Sequence, residues 1–113
     1  MGVGVVTEEV IAEMVDRIVR EVQPEQVYLF GSRARGEARD DSDVDLLVVE
    51  AEPFDQKRSR FEETNRVYRA LSSFRVPLDV LLFSTDEMAK WGESRYHIVG
   101  RCRREGRLIY ARA

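Results

Sequence analysis

Two aspartates separated by one residue, Asp43 and Asp45, have the type and spacing that metal chemistry requires. They flank Val44 at the start of an apolar run that extends to Val49, and such a run predicts a strand. Side chains two apart on a strand point to the same face, so the two carboxylates should lie close together. Like charges that close repel unless a cation lies between them, and hard carboxylate oxygens suit Mg²⁺. The pair therefore predicts a Mg²⁺ site.

A third aspartate, Asp79, lies inside another apolar segment, Leu78 to Phe83, which Pro77 precedes and which predicts a third strand. A carboxylate in so apolar a run needs a partner or a metal. If the second and third strands are parallel neighbours, their first residues meet at one edge of the sheet, and Asp79 joins Asp43 and Asp45 there. A surface-facing aspartate on an edge strand remains the open alternative.

Gly31 and Ser32 follow the short apolar run Val27 to Phe30, which predicts the first strand. We predict a short helix over 32–38, capped by Ser32, and a polar loop over 39–42. Backbone N–H groups at a helix start favour an anion, and Gly31 lets a phosphate approach the backbone closely. If the first strand is antiparallel to the second, this phosphate site arrives at the edge that carries the aspartates, as phosphoryl chemistry on two metal ions requires.

Two long helices are predicted to pack beside these strands. Apolar residues recur at three- and four-residue spacing between Val10 and Val22, with Thr7 as N-cap and Pro24 after the end. A second helix is predicted over 56–74. Its inner stripe is predicted to consist of Phe61, Tyr68, Leu71 and Phe74.

The last third of the chain predicts shorter elements. Thr85 is predicted to cap a helix over 86–91, another helical stretch reaches about Arg104, and a short edge strand covers 108–110. The predicted fold class is α/β (α+β), with a small mixed sheet of three to four strands flanked by helices. All of it is expected to form one domain, 1–113.

Composition excludes several classes of protein. The chain has 113 residues and a net charge of −3, with acidic and basic residues interleaved, so it is not expected to bind nucleic acid directly through charge. No apolar run approaches the roughly 20 residues of a membrane span, and no signal peptide is recognisable. A single cysteine, Cys102, permits no internal disulfide and favours a cytoplasmic location.

The combined motif resembles the polymerase-beta-like nucleotidyltransferase superfamily. It consists of Phe30-Gly31-Ser32, a ten-residue spacer, Asp43-Val44-Asp45-Leu46 and the later Asp79. Within that superfamily, the stretch from Gly31 to Leu46 resembles the minimal nucleotidyltransferase branch of antitoxin type. The resemblance covers nearly the whole chain.

The resemblance implies a role for each matching position. Gly31 and Ser32 would bind the β- and γ-phosphates of a nucleotide, and Asp43 and Asp45 would hold two Mg²⁺ ions. Asp79 would complete the site of the catalytic metal and help to deprotonate the attacking hydroxyl. In-line attack on the α-phosphate would then release pyrophosphate. The expected activity is Mg²⁺-dependent transfer of a nucleoside monophosphate.

The roles of several arginines, aromatic residues, the histidine and the cysteine are interpreted from the sequence itself, without the resemblance. Arg33 is taken as a candidate phosphate ligand, with a solvated charge on a helix face as the open alternative. Arg35 and Arg39 are interpreted as solvated charges. Four further residues are interpreted as structural or packing residues: Trp91, Tyr96, His97 and Cys102.

The substrate and the partner follow from the resemblance. It implies AMP transfer from ATP, with another NTP left open, to a tyrosine of a HEPN-type toxin. Only about 30 residues follow the third strand, which leaves little chain for an acceptor pocket. Two alternatives stay open. One is a nucleotidyltransferase that acts as a homodimer on a hydroxyl of an aminoglycoside-like small molecule. The other is a non-catalytic module that binds a partner.

Overall fold

The computed structural model describes residues 6–39 and 42–113, and a four-stranded mixed sheet with the order β3-β2-β1-β4 organises them. The strands are β1 (Gln26–Phe30), β2 (Val44–Glu50), β3 (Leu78–Ser84) and β4 (Arg107–Ala111). The helices are α1 (Glu8–Val22), α2 (Arg60–Ala70), α3 (Thr85–Trp91) and α4 (Ile98–Glu105). Two short 3₁₀ turns cover Gly31–Arg33 and Ser72–Phe74. The predicted fold class is confirmed.

The first helix forms as its apolar periodicity predicts. The Thr7 hydroxyl accepts a hydrogen bond from the Val10 N–H at 3.2 Å, so the predicted N-cap is confirmed. Ile11, Met14 and Ile18 turn inward along one face and are at most 7 % exposed. This face anchors α1 to the sheet because three- and four-residue spacing aligns side chains along a helix.

The strand directions match both conditional expectations. β1 runs antiparallel to β2, and β3 runs parallel to β2. The parallel register places Val44 opposite Leu78 and Asp45 opposite Asp79. A parallel neighbour requires a long crossover, and α2 supplies it. The edge where β2 and β3 begin therefore carries the aspartates.

Alternation along β2 assigns the two faces of the sheet. Val44, Leu46 and Val48 pack on the side that α1 and α2 cover. Leu47 and Val49 pack on the side that α3 and α4 cover. Because side chains alternate, Asp45 points to the face of α3 and α4, and the candidate site must lie on that face.

The second helix begins later than predicted, at Arg60 rather than at residue 56. The Asp55 carboxylate accepts hydrogen bonds from the second and third N–H groups after it, at 2.8 and 2.9 Å. This turn competes with helix formation. Ser59 then caps α2, its hydroxyl accepting from the Glu62 N–H.

The inner stripe of α2 also differs from the prediction. Val67 and Leu71, four residues apart, are fully buried and form its centre. Tyr68 and Phe74 pack partly against the same core. Phe61 is 74 % exposed, so its assignment to the stripe was wrong. It lies in the first helical turn, at the margin of the buried stripe.

Ser84, not Thr85, caps α3. The Ser84 hydroxyl accepts from the Glu87 N–H at 3.2 Å, and the Glu87 carboxylate accepts from the Ser84 N–H at 2.9 Å. This reciprocal pair is a capping box, which starts the helix one residue before the predicted one. In the described part of the chain, no helix has both the length and the apolar composition of a membrane span.

At the end of β2 away from the aspartates, Glu50 and Glu63 both pair with Arg58. Glu50 is 4 % exposed, and its Oε1 accepts a hydrogen bond from the Arg58 guanidinium. The same guanidinium lies 3.4 Å from Glu63. Burial, followed by the hydrogen bond and charge of Glu63, raises the pKa of Glu50 to about 8.

We expect Glu50→Gln to flatten the pH dependence of stability. The pKa of Glu50 is higher in the folded chain than its ordinary 4.5, so the folded state binds an extra proton between these pH values. The contribution of Glu50 to the free energy of unfolding is therefore fully present below pH 4.5. It is lost as pH rises from 4.5 towards 8, by at most about 1.4 kcal/mol per pH unit. Urea unfolding between pH 5 and 8 measures this slope.

The matched control is Glu52→Gln, because Glu52 also pairs with Arg58, at 3.6 Å, yet its side chain is 80 % exposed. It should keep the wild-type slope. An unchanged slope in Glu50→Gln would contradict the raised pKa.

Candidate active site

We call residues 31–37, the predicted phosphate-binding segment, the phosphate loop. It leaves β1 as a 3₁₀ turn, Gly31–Arg33, and not as the predicted helix over 32–38. Phe30, and not Ser32, is the N-cap residue of this turn, so the prediction that Ser32 caps a helix was wrong. Gly31 and Gly36 both have positive φ, +72° and +73°, and a left-handed residue ends a right-handed turn. The loop closes instead through the Glu37 N–H, which donates to the Ser32 carbonyl at 2.9 Å. Any anion site here rests on individual N–H groups and the Ser32 hydroxyl, without a helix dipole.

Gly31 lies directly against Asp45. Phe30 is opposite Asp45 in the antiparallel ladder, which places the next residue above that carboxylate. A Cβ atom at Gly31 would overlap Asp45 Oδ2 and come within 3.1 Å of its Cγ. The contact explains why glycine is needed at this position and shows that the phosphate loop and the carboxylate share one site.

The structure brings the three predicted aspartates to one edge and one face of the sheet. Asp45 and Asp79 are register partners, and Asp43 lies immediately before β2, two residues from Asp45. Asp45 is half-buried, whereas Asp43 and Asp79 are exposed. Burial, then the charges of Asp79 and Asp43, raises the pKa of Asp45. Such an environment favours a cation among the three carboxylates.

A pocket of about 310 Å³ opens beside Asp45, between the phosphate loop and α4. Its lining consists of Phe30, Gly31, Ser32, Arg35, Asp45, Ile98, Arg101, Cys102 and Glu105. The last four occupy one face of α4, at spacings of three and four residues. Asp43 and Asp79 lie next to the pocket, on the open edge of the sheet.

Sequence reasoning missed the contribution of α4. The spacing of Ile98, Arg101, Cys102 and Glu105 marks a helix face, but it does not show what that face covers. Arg101 pairs with Glu105 at 2.9 Å within the helix, and both side chains are about half exposed. Two arginines, Arg35 and Arg101, therefore border a pocket whose floor holds a carboxylate.

Arg33 binds backbone carbonyls, whereas Arg35 lines the pocket. The Arg33 guanidinium donates to the carbonyls of Ser42 at 2.7 Å and Arg39 at 3.4 Å, and so bridges these two residues shortly before Asp43. Arg35 is exposed as predicted and pairs with Glu37, yet it also lines the pocket. Residues 40 and 41 of the predicted polar loop lie outside the described residues.

The donor set fits Mg²⁺ through its chemistry. Within 6–39 and 42–113, no three acidic, histidine or cysteine side chains already form a complete set of metal ligands. Mg²⁺ does not require one, since it usually binds one or two carboxylates together with substrate phosphates and water. Asp45 and Asp79 on adjacent strands, with Asp43 beside them, supply carboxylates of that kind.

His97 and Trp91 are structural, as predicted. The His97 ring stacks on Trp91 at 4.6 Å, and its Nδ1 accepts from the Val99 N–H at the start of α4. Cys102 is buried, and burial raises the pKa of its thiol to about 11, which keeps it protonated and inert. Tyr96 is 91 % exposed, so its interpretation as a packing residue was wrong.

Comparison with solved structures supports the fold. A protein from Sulfolobus solfataricus designated as a nucleotidyltransferase is 25 % identical, with a TM-score of 0.65 over 92 % of this chain and 79 % of that one. The MntA–HpeT toxin–antitoxin structure is 19 % identical, with a TM-score of 0.50 over 95 % of this chain and 74 % of that one. No curated protein matches the sequence.

The family model described as "Nucleotidyltransferase domain" matches residues 11–99. That range contains the phosphate loop, the three aspartates and the strands that align them. The predicted resemblance is thus confirmed: this chain belongs to the nucleotidyltransferase domain family.

Proposed function

We propose that this chain transfers AMP from ATP to a hydroxyl group of a protein acceptor, a tyrosine of a HEPN-type toxin, and so acts as the antitoxin of a toxin–antitoxin pair. The observation that carries the transfer chemistry is the shared site of Gly31, Ser32 and Asp45, with Asp79 opposite Asp45 in register. A phosphate loop and paired carboxylates at one pocket suit phosphoryl transfer better than any other reaction class.

The reaction forms a bond between the acceptor oxygen and the α-phosphorus and breaks the bond from that phosphorus to the bridging oxygen. Pyrophosphate leaves with the bridging oxygen. Gly31 and Ser32 hold the β- and γ-phosphates against the loop, and their hydrogen bonds orient the leaving group. Asp79, exposed at the open edge, is the proposed acceptor of the hydroxyl proton.

We infer that Asp43 and Asp45 hold two Mg²⁺ ions and that Asp79 completes the site of one of them. Bound Mg²⁺ would neutralise phosphate charge that three carboxylates alone would repel. The raised pKa of Asp45 supports a cation at this place, because its causes include the charges of both neighbouring aspartates.

The acceptor is proposed to be a protein because the pocket, as the described residues form it, is open to solvent on one side. It lies between α4 and the phosphate loop, and the aspartate edge beside it is open. The fold shared with MntA–HpeT, a toxin–antitoxin complex, supports a second chain as the acceptor. We also propose a cytoplasmic location, which the single reduced thiol of Cys102 supports.

The test incubates the purified chain with α-labelled ATP and Mg²⁺, with and without the protein encoded by the neighbouring gene. Label on that protein, dependent on Mg²⁺ and on Asp43, is the expected result. Label on an aminoglycoside alone would establish the small-molecule enzyme instead. Neutralisation of the partner by Asp43→Asn, without any label, would establish a module that acts by contact.

Arg101→Gln should weaken ATP binding without abolishing transfer. The Arg101 guanidinium borders the pocket opposite the phosphate loop and can exchange its exposed pairing with Glu105 for a phosphate. A charge-assisted hydrogen bond of this kind contributes about 1.5–3 kcal/mol, so KM for ATP should rise by at least about tenfold. Steady-state kinetics at saturating acceptor measure the change.

The matched control is Arg103→Gln. Arg103 lies on the same helix but lines a different depression, against Gln26 and Met88. The KM of the Arg103→Gln variant for ATP should stay at the wild-type value. An equal rise of KM in Arg101→Gln and Arg103→Gln would show a general charge effect rather than a phosphate contact.

A further inference from the structure

The turn between α3 and α4 presents one aromatic ring to solvent. Tyr96 is 91 % exposed, whereas the neighbouring Trp91 and His97 are partly buried and stack on each other. An exposed tyrosine contributes little to the core, and large aromatic side chains are enriched at the energetic centres of protein interfaces.

Hydrogen bonds hold this turn in a defined conformation. The Ser94 hydroxyl accepts from the Tyr96 N–H at 3.3 Å and from the His97 N–H at 3.1 Å. The Arg104 guanidinium donates to the carbonyls of Ser94 at 2.9 Å and Arg95 at 3.2 Å. Arg104 thus ties the turn to α4, and the backbone that carries the tyrosine ring is ordered before any partner binds.

Gly100 brings the turn close to the helix. A Cβ atom at this position would overlap the Ser94 carbonyl and lie 3.0 Å from the Trp91 carbonyl. An ordered backbone lowers the entropy lost when a partner binds, which is the usual advantage of a preorganised contact.

The segment that contains Tyr96 and α4 is rich in arginine although the chain is acidic overall. The segment 94–107 contains five arginines and one glutamate, against a net charge of −3 for the chain. We call the surface formed by Arg95, Tyr96 and Arg104 the α4 rim. It adjoins the pocket, because Ile98 and Arg101 of the same helix line the pocket wall.

We propose that the α4 rim docks the protein acceptor, with Tyr96 as the aromatic anchor and Arg95 and Arg104 facing acidic side chains of that protein. The inference rests on the proposed transfer to a protein and names the surface that this transfer requires. A nucleotide in the pocket leaves the rim free, since Tyr96 does not line that pocket.

The observations favour an acidic protein segment over nucleic acid. Of the five arginines, Arg101 is paired with Glu105 and Arg107 with Glu8 at 3.3 Å, so two of the positive charges are already neutralised. Binding a phosphate backbone depends on several cations that neutralise successive phosphates. One exposed aromatic ring on a hydrogen-bonded turn, with a few arginines beside it, fits a protein hot spot.

The experiment compares Tyr96→Ala with Phe61→Ala, which removes another exposed ring, 74 % exposed, from α2. The probe is the purified protein encoded by the neighbouring gene, and calorimetry gives its Kd for each variant. Tyr96→Ala should raise this Kd by about tenfold or more. Tyr96→Phe and Phe61→Ala should stay within about twofold of wild type, as should the Kd for ATP in every variant.

Each outcome separates the inference from the proposed function. An unchanged Kd in Tyr96→Ala, with labelling of the acceptor intact, would overturn the docking surface and keep the transferase. Absence of binding and labelling in the wild-type chain would overturn both. Binding of a fluorescent single-stranded RNA that Tyr96→Ala abolishes would show that the rim serves nucleic acid, which also overturns the inference. Arg104→Gln, which releases the turn, should reproduce part of the loss.

Discussion

Asp45→Asn should abolish nucleotidyl transfer while leaving a folded protein of equal or greater stability. Asp45 is the carboxylate that contacts the phosphate loop, lines the pocket and faces Asp79. Asp45 is a proposed ligand of Mg²⁺, and removing such a ligand would cost several kcal/mol of transition-state stabilisation, which corresponds to a rate loss of about a thousandfold or more. Transfer of label from α-labelled ATP at saturating Mg²⁺ measures the loss.

The same Asp45→Asn substitution should not lower the stability of the folded chain. Burial and the charges of Asp79 and Asp43 raise the pKa of Asp45, so its ionised form is unfavourable in the folded chain without metal. A neutral amide removes that penalty, and the thermal midpoint measured in a chelator should not fall. Asp16→Asn, which alters an exposed pair with Arg20, is the control and should keep full activity. A fall in the midpoint with activity retained would refute the assignment of Asp45.

Gly31→Ala should destroy the site through two separable effects. Its φ of +72° strains any L-residue by about 1–2 kcal/mol. Its Cβ would also overlap Asp45 Oδ2, so either the loop or the carboxylate must move. Displacement of a positioned group by about 1 Å can reduce the rate about a hundredfold, and we expect at least that loss in kcat/KM.

Gly36→Ala isolates the backbone effect. Gly36 has nearly the same φ, +73°, but a Cβ there meets nothing within 4 Å. The Gly36→Ala variant should lose about 1–2 kcal/mol in the free energy of unfolding, measured in urea, as Gly31→Ala does. Its kcat/KM should stay close to the wild-type value. Equal loss of activity in both variants would mean that loop strain, and not the contact with Asp45, controls the site.

The local elements of this protein could be predicted from short patterns. The spacing from Val10 to Val22 predicts α1, and the apolar runs predict β1, β2 and β3. The combination of Gly31-Ser32 with Asp43 and Asp45 predicts the chemistry. These patterns suffice because helix and strand periodicity depend on neighbours within a few residues.

Errors arose where a local interaction competed with a pattern. The Asp55 turn delays the start of α2, and Gly36 prevents a helix after Ser32. The composition of each segment allowed a helix. Side-chain hydrogen bonds and a positive φ decided otherwise, and their energies are similar to the differences in helix propensity.

The sequence by itself determined which residues could bind phosphate and metal, and the tertiary structure decided which of them share a pocket. Asp45 faces Asp79 because β2 and β3 pair in parallel in one register, a choice set by burial of two whole faces. α4 carries Arg101 to the pocket because its apolar face packs on Leu47 and Val49, and the turn before α4 presents Tyr96 to solvent. No short pattern encodes these contacts, since they join segments more than about 30 residues apart in the chain, and packing of the complete core fixes them.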